Sequence, residues 1–167
     1  LYTADKAKRR MKVVCRYQQY EGANKLVDRV LEGRLKKGLI WHFQGSGKSL
    51  LMVFAAQKLR RHPALKSPTV LVLVDRTELD SNITGTFSAA DVANVEKADS
   101  IKELHDYLEK GTRKIIVSMI HKFKDAYPDM NTRDNIIVMV DEAHRTQEGD
   151  LGRKMRAALP NAFLFGL

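Results

Sequence analysis

The chain has 167 residues, of which 44% are hydrophobic and 29% charged, a length and composition that suit one globular domain with its own core. Its formal charge of +9 favours polyanionic partners such as nucleic acid, nucleotide or an acidic membrane surface. The longest uninterrupted apolar run, Leu50 to Ala56, is far shorter than the ~20 residues of a membrane-spanning helix, so the sequence predicts no membrane span.

The first residues carry a cluster of positive charge. Five basic side chains fall within residues 6–12, "KAKRRMK", and predict a basic N-terminal arm over residues 1–15, either solvated or in contact with phosphate. The lone Cys15 cannot form an intramolecular disulfide and is read as a small buried residue; with no leader-like opening, it favours a cytoplasmic protein. Because the chain starts at Leu1 rather than Met and stops in an apolar segment, we expect it to be part of a longer protein.

The first half of the chain predicts a helix, a strand and a second helix. Apolar residues recur at helical spacing from Gln18 to Glu32. The segment "GLIWHF", residues 38–43, predicts a buried strand. A glycine-rich turn then leads into a helix that starts near Lys48 and ends before Pro63.

The second half alternates buried strands with helices. Ser100 and Glu103 form a capping-box pattern at the start of the helix "IKELHDYLEK". A short helix is predicted over residues 151–159. Continuously apolar, β-branched runs predict strands at residues 69–75, 114–119, 135–141 and 162–167. This order predicts an α/β fold with a doubly wound parallel sheet.

The turn after the first strand reads Gln44-Gly45-Ser46-Gly47-Lys48-Ser49. Glycines at 45 and 47 allow the backbone to turn its N–H groups inward as a nest for phosphate oxygens, and the dipole of the next helix adds positive potential. Lys48 supplies a cation for the β and γ phosphates, and the Ser49 hydroxyl can complete a Mg²⁺ shell. The stretch therefore predicts a nucleotide-binding P-loop.

One position departs from the full P-loop pattern. The pattern GxxxxGK[ST] requires a glycine at position 42, where this sequence has His42, so only the shorter core GxGKS matches. We read His42 as a packing residue at the strand end. The other histidines lack cysteine or histidine partners at zinc spacing.

An acidic pair follows the strand predicted at 135–141. Asp141 would hold Mg²⁺ through water, and Glu142 would polarise the attacking water. An acidic pair at this place can also cap the next helix. The glycine loop upstream favours the catalytic interpretation.

The glycine loop and the acidic pair together resemble the first two motifs of superfamily 2 helicases and translocases. Five segments in order resemble, more narrowly, the motor (R, restriction) subunit of type I restriction-modification enzymes: "RYQQYEGANKLV", "WHFQGSGKSL", "VLVDRTELD", "IIVSMIHKF" and "VDEAHRTQ". The resemblance covers nearly the whole chain. It implies that residues 1–167 are the first of two RecA-like domains that clamp ATP between them.

The resemblance also implies roles for single residues. It makes Gln19 the residue that reads adenine, with Gln18 as the alternative register and an exposed polar residue as the ordinary interpretation. It gives His144 a role in coupling the nucleotide state to the grip on DNA. Arg76 would contact a DNA phosphate, although a salt bridge at a helix start explains it nearly as well. Lys48, Ser49, Asp141 and Glu142 keep the roles described above.

As a whole, the resemblance implies an ATP-dependent motor that uses ATP and Mg²⁺ to translocate on double-stranded DNA. Its partners would be a second RecA-like domain and a nuclease domain of the same protein, together with methylation and specificity subunits. We expect the isolated domain to hydrolyse ATP poorly, since the arginine finger would come from the second domain. The alternatives are another superfamily 2 helicase acting on DNA or RNA, and a nucleotide-gated binding module that does not hydrolyse ATP.

Overall fold

The computed structural model describes residues 2–4, 9–41, 45–74, 84–88, 90, 92–141 and 149–167. The strands are β1 (Tyr2–Ala4), β2 (Arg10–Lys12), β3 (Lys37–Leu39), β4 (Thr69–Val74), β5 (Val95–Lys97), β6 (Ile115–Met119), β7 (Ile136–Val140) and β8 (Phe163–Gly166). The main helices are α1 (Tyr17–Glu32), α2 (Lys48–Arg61), α3 (Ile101–Glu109) and α4 (Asp150–Ala158). No helix within these residues is long and apolar enough to cross a membrane.

Six strands form one parallel sheet in the order β3-β8-β7-β4-β6-β5. Strand β4 lies near the middle, hydrogen-bonded to β6 on one side and β7 on the other. All six of its residues are buried, as are all five of β7. This arrangement confirms the predicted parallel α/β sheet, since strands covered on both faces are apolar throughout.

Helices cover both faces of the sheet, as a doubly wound fold requires. Alternate residues of each strand point to opposite faces, so Val70 and Val72 of β4 join one core while Leu71 and Leu73 join the other. The first core contains the buried faces of α1 and α2. The second contains those of α3 and α4. The sheet thus separates two hydrophobic cores.

Strand β3 corrects one prediction. The run "GLIWHF" predicts a buried strand, but β3 is an edge strand that pairs only with β8 among the described strands. Leu39 is 67% exposed and Trp41 is 89% exposed. An apolar run alone does not distinguish a central strand from an edge strand, because that difference depends on which strand pairs beside it.

The other predicted helices and strands are present with ends shifted by a residue or so. The capping box at α3 is confirmed: the Glu103 N–H donates to Ser100 Oγ at 3.1 Å, and the Ser100 N–H donates to Glu103 Oε2 at 3.0 Å. Three short strands escaped prediction, namely β5 and the antiparallel pair of β1 with β2. Each has three residues, too few for a readable periodicity.

A polar network joins the amino ends of the central strands. Arg133 Nη2 donates to Thr69 Oγ1 at 2.6 Å, and this hydroxyl donates to the Thr112 carbonyl at 2.7 Å. Burial, followed by repulsion from Arg113, lowers the pKa of the Arg133 guanidinium. Side chains and backbone thus satisfy each other at this edge, while the opposite edge carries the glycine loop.

We expect Leu71→Ala to lower the free energy of unfolding by about 2–5 kcal/mol, because it leaves a cavity beneath the central strand. Leu71 is fully buried. Urea denaturation followed by circular dichroism measures the change. Leu35→Ala is the matched control, since Leu35 is 62% exposed and should change stability by no more than about 0.5 kcal/mol. Equal losses in the two variants would contradict the core assignment.

Candidate nucleotide-binding site

The glycine loop lies between β3 and α2, at the carboxyl edge of the sheet. Gly45 and Gly47 have φ angles of +81° and +85°, in the left-handed region that side chains with a Cβ rarely adopt. Gly47 is the N-cap of α2, and its carbonyl accepts the Leu51 N–H at 3.2 Å. Both glycines are therefore required by the backbone conformation that the loop adopts.

Lys48 and Ser49 occupy the first turn of α2 and are half-buried. This turn contains no acidic residue, so no carboxylate of α2 offsets the positive end of its dipole. A helix N-terminus of this kind, following a turn with inward N–H groups, is a binding site for phosphate. The structure thus brings together four predicted site residues, Ser46 to Ser49, with Gly45 beside them.

Gln19 of α1 contacts the loop directly. Its side chain is 3% exposed. Its Nε2 donates to the carbonyls of Ser46 and Gly47, each at 3.2 Å. Its Oε1 accepts the Arg16 N–H at 2.9 Å. The resemblance predicts that Gln19 lies in the nucleotide site, but no spacing in the sequence signals its bonds to the loop, which join residues 27 and 28 positions apart.

Gln18, the alternative residue for reading adenine, faces a different environment. It is exposed and lines a groove of about 610 Å³ between α1 and β3. Trp41 and Leu39 line the same groove. Of the two neighbouring glutamines, Gln19 is therefore the one bonded to the glycine loop.

Asp141 follows β7 at the same edge of the sheet and is 4% exposed. Its N–H donates to the Leu73 carbonyl at 2.8 Å, which continues the pairing of β7 with β4 by one residue. One strand, β8, separates β7 from β3, so the ends of β3 and β7 are two strand spacings, about 10 Å, apart. This places a carboxylate across the sheet edge from the glycine loop.

These residues fit a nucleotide with a divalent cation. The loop offers backbone N–H groups and a helix N-terminus for phosphate, and Ser49 and Asp141 are oxygen donors of the kind that Mg²⁺ prefers. The described part of the chain contains no cluster of three or more histidine, cysteine or acidic residues that would hold a metal by itself. A cation here would therefore depend on phosphate oxygens and water as further ligands.

Four predicted site residues lie outside the described residues: Gln44, Arg76, Glu142 and His144. Their assigned roles stay predictions from the sequence. Cys15 is described and half-buried, in the segment between β2 and α1.

The fold and this loop define a class of protein. Residues 18–167 match the family model of the SWI2/SNF2 ATPase, and the chain therefore belongs to the SWI2/SNF2 ATPase family. Proteins of this family use a nucleotide and a divalent metal ion.

The relatives confirm the resemblance to type I restriction enzymes. The chain is 38% identical over 164 residues to the putative type I restriction enzyme MjaIXP endonuclease subunit of Methanocaldococcus jannaschii, which covers 90% of this chain and 16% of that protein. It is 36% identical over 194 aligned positions to the type I restriction enzyme HindI endonuclease subunit of Haemophilus influenzae, which covers 99% of this chain and 18% of that protein. The chain thus spans less than a fifth of either relative.

Solved structures share the fold. The UvsW helicase of bacteriophage T4 superposes with a TM-score of 0.65 at 20% identity, over 100% of this chain and 55% of that one. A nuclease-deletion mutant of the Type ISP restriction-modification enzyme LlaGI, solved with a DNA substrate mimic, has a TM-score of 0.58 at 15% identity, over 93% of this chain and 17% of that one. Both agree with a RecA-like helicase domain.

We expect Gly47→Ala to destabilise the protein more than Gly45→Ala. Both replacements place a Cβ at positive φ, at about 1–2 kcal/mol. Only at Gly47 would the new methyl group overlap the Gln19 amide nitrogen, while the space around Gly45 is open. Disturbing those buried hydrogen bonds should add about 1–3 kcal/mol.

Thermal denaturation of the two variants measures this difference. Gly85→Ala is the control, because Gly85 lies in the helical segment 84–88, has no positive φ and leaves open space for a Cβ. It should lose no stability. Equal destabilisation by Gly45→Ala and Gly47→Ala would mean that the Gln19 contact contributes nothing.

Proposed function

We propose that this chain is the first RecA-like motor domain of a type I restriction endonuclease subunit, which binds and hydrolyses ATP to drive translocation on double-stranded DNA. The observation that carries the proposal is the loop of Gly45 and Gly47 at the N-terminus of α2, on the sheet edge that also bears Asp141. The type I restriction enzyme relatives support it. The rest of the motor and the nuclease would lie in other parts of the full-length protein.

The chemistry would be divided among the residues of this edge. Backbone N–H groups of the loop 44–49 and the Lys48 ammonium would hold the β and γ phosphates. Mg²⁺, held by Ser49 and through water by Asp141, would neutralise phosphate charge. Glu142 would accept a proton from the attacking water.

Two further residues would link hydrolysis to DNA. His144 follows Asp141 and Glu142 closely in sequence, and it would couple the nucleotide state to the grip on DNA. Arg76 would contact a DNA phosphate, which positions the duplex without reading its sequence. The second RecA-like domain would close on ATP and open after hydrolysis, and this cycle would supply the step along DNA.

The proposal also bounds what this domain does by itself. An arginine finger supplied by the second domain accelerates phosphoryl transfer by about 10³ to 10⁵, so the isolated domain should turn over slowly. Methylation and specificity subunits would select the DNA site. The formal charge of +9 suits contacts with phosphate, and DNA binding should weaken steeply as salt rises. We expect the complex to act in the cytoplasm.

We expect Lys48→Ala to reduce ATP turnover of the full-length protein by about 10²-fold or more, because it removes the cation that stabilises the γ-phosphate in the transition state. Steady-state ATP hydrolysis should be measured without DNA, with duplex DNA, with single strands and with RNA. The matched control is Lys102→Ala, which alters an exposed residue of α3.

The same assay separates the proposed motor from its alternatives. Stimulation by duplex DNA that disappears in Lys48→Ala would support the translocase. Greater stimulation by single strands or RNA would favour another superfamily 2 helicase. ATP binding without turnover in the complete complex would instead indicate a nucleotide-gated binding module.

We expect Glu142→Gln to retain ATP binding while hydrolysis falls by about 10²–10⁴-fold, since the amide cannot accept the proton of the attacking water. Calorimetry measures the affinity and a single-turnover assay measures the cleavage step. Glu32→Gln, at the exposed C-terminal end of α1, is the control for loss of one carboxylate. A parallel loss of affinity and turnover would show that Glu142 is structural.

A further inference from the structure

The Gln19 side chain connects the start of α1 to the glycine loop through both ends of its amide. The Nε2 group has two protons, and it donates to two loop carbonyls, those of Ser46 and Gly47. The Oε1 atom accepts the backbone N–H of Arg16, the residue that precedes α1. Both donors of the amide are therefore already used within the protein.

These bonds also set the direction of the loop's N–H groups. In a trans peptide the carbonyl of one residue and the N–H of the next point in opposite directions across one plane, and the structure contains no cis peptide bond among its described residues. With the carbonyls of Ser46 and Gly47 turned toward Gln19, the N–H groups of Gly47 and Lys48 face the opposite side. N–H groups at this place in a P-loop are the ones that contact phosphate.

The anchor of this contact is rigid. Helix α1 packs through Ala23, Leu26, Val27 and Val30 into the core that also contains the buried face of α2. Ser46 is 5% exposed, so water has little access to replace a lost bond in the loop. At Gly47 a Cβ would occupy the place of the Gln19 amide. Gln19 and Gly47 thus require each other.

We propose that Gln19 is a positioning residue, which holds the carbonyls of Ser46 and Gly47 so that the opposite faces of their peptides present N–H groups to phosphate. This inference rests on the proposed nucleotide-binding function and departs from the expectation that Gln19 reads adenine. A positioning residue acts on the phosphates of any nucleotide. A base-reading residue acts on adenine alone.

The test compares three ligands in the presence of Mg²⁺: ATP, GTP and inorganic triphosphate, which has no base. Their affinities are measured by calorimetry on the full-length protein and on Gln19→Met, which keeps the side-chain volume and loses the donors. We expect all three affinities to fall by a similar factor, about tenfold, as for the loss of two hydrogen bonds. A loss confined to ATP would overturn the inference and restore the base-reading role.

Two control variants separate positioning from general damage to the fold. Val30→Ala removes buried volume from α1 without touching the loop, and Gln57→Ala truncates a half-buried glutamine further along α2. Both should bind the three ligands as the unchanged protein does. If Val30→Ala weakened binding as much as Gln19→Met, or if Gln19→Met bound all three normally, the inference would be wrong.

The unchanged protein and Lys48→Ala test the underlying function separately. Phosphate-dependent binding by the unchanged protein, lost in Lys48→Ala, would support the nucleotide site whatever Gln19 does. If the unchanged protein bound none of the three ligands, the proposed function would fail, and the inference about Gln19 with it.

Discussion

The six strands of the sheet run in one direction, and the candidate site depends on this constraint. Parallel strands all end at the same edge, so the loops that follow them meet there even when they are far apart in sequence. Lys48 and Asp141 are nearly a hundred positions apart, yet the strands preceding them are separated only by β8. The buried strands β4 and β7 hold this edge in place because residues on both of their faces contribute to hydrophobic cores.

The amino and carboxyl edges of the sheet differ in how their backbone polar groups are satisfied. At the amino edge, side chains such as Arg133, Thr69 and Asn135 are bonded within the protein, including to backbone carbonyls of the neighbouring turns. At the carboxyl edge, the glycine loop uses carbonyls of Ser46 and Gly47 for internal bonds. Its N–H groups face the other way, where phosphate would bind. An edge built in this way is suited to an anionic ligand.

The contact between Gln19 and the loop joins helix α1 to the site. Positive φ at Gly47 and the absence of a Cβ there make room for the glutamine amide. The amide in turn satisfies carbonyls that are largely shielded from water, which matters because a buried unsatisfied carbonyl is costly. A residue placed 27 positions before the loop in sequence thereby becomes part of it.

The sequence by itself determined the parallel α/β fold, the helices and the glycine loop, because apolar runs, helical periodicity and capping residues act over a few neighbouring positions. It also indicated Asp141 at a strand end. Only the tertiary structure decided that β3 is an edge strand with Trp41 exposed, and that Gln19 rather than Gln18 bonds to the loop. Strand neighbours and contacts between α1 and the loop join distant parts of the chain, and no local pattern encodes which partner a strand or an amide finally meets.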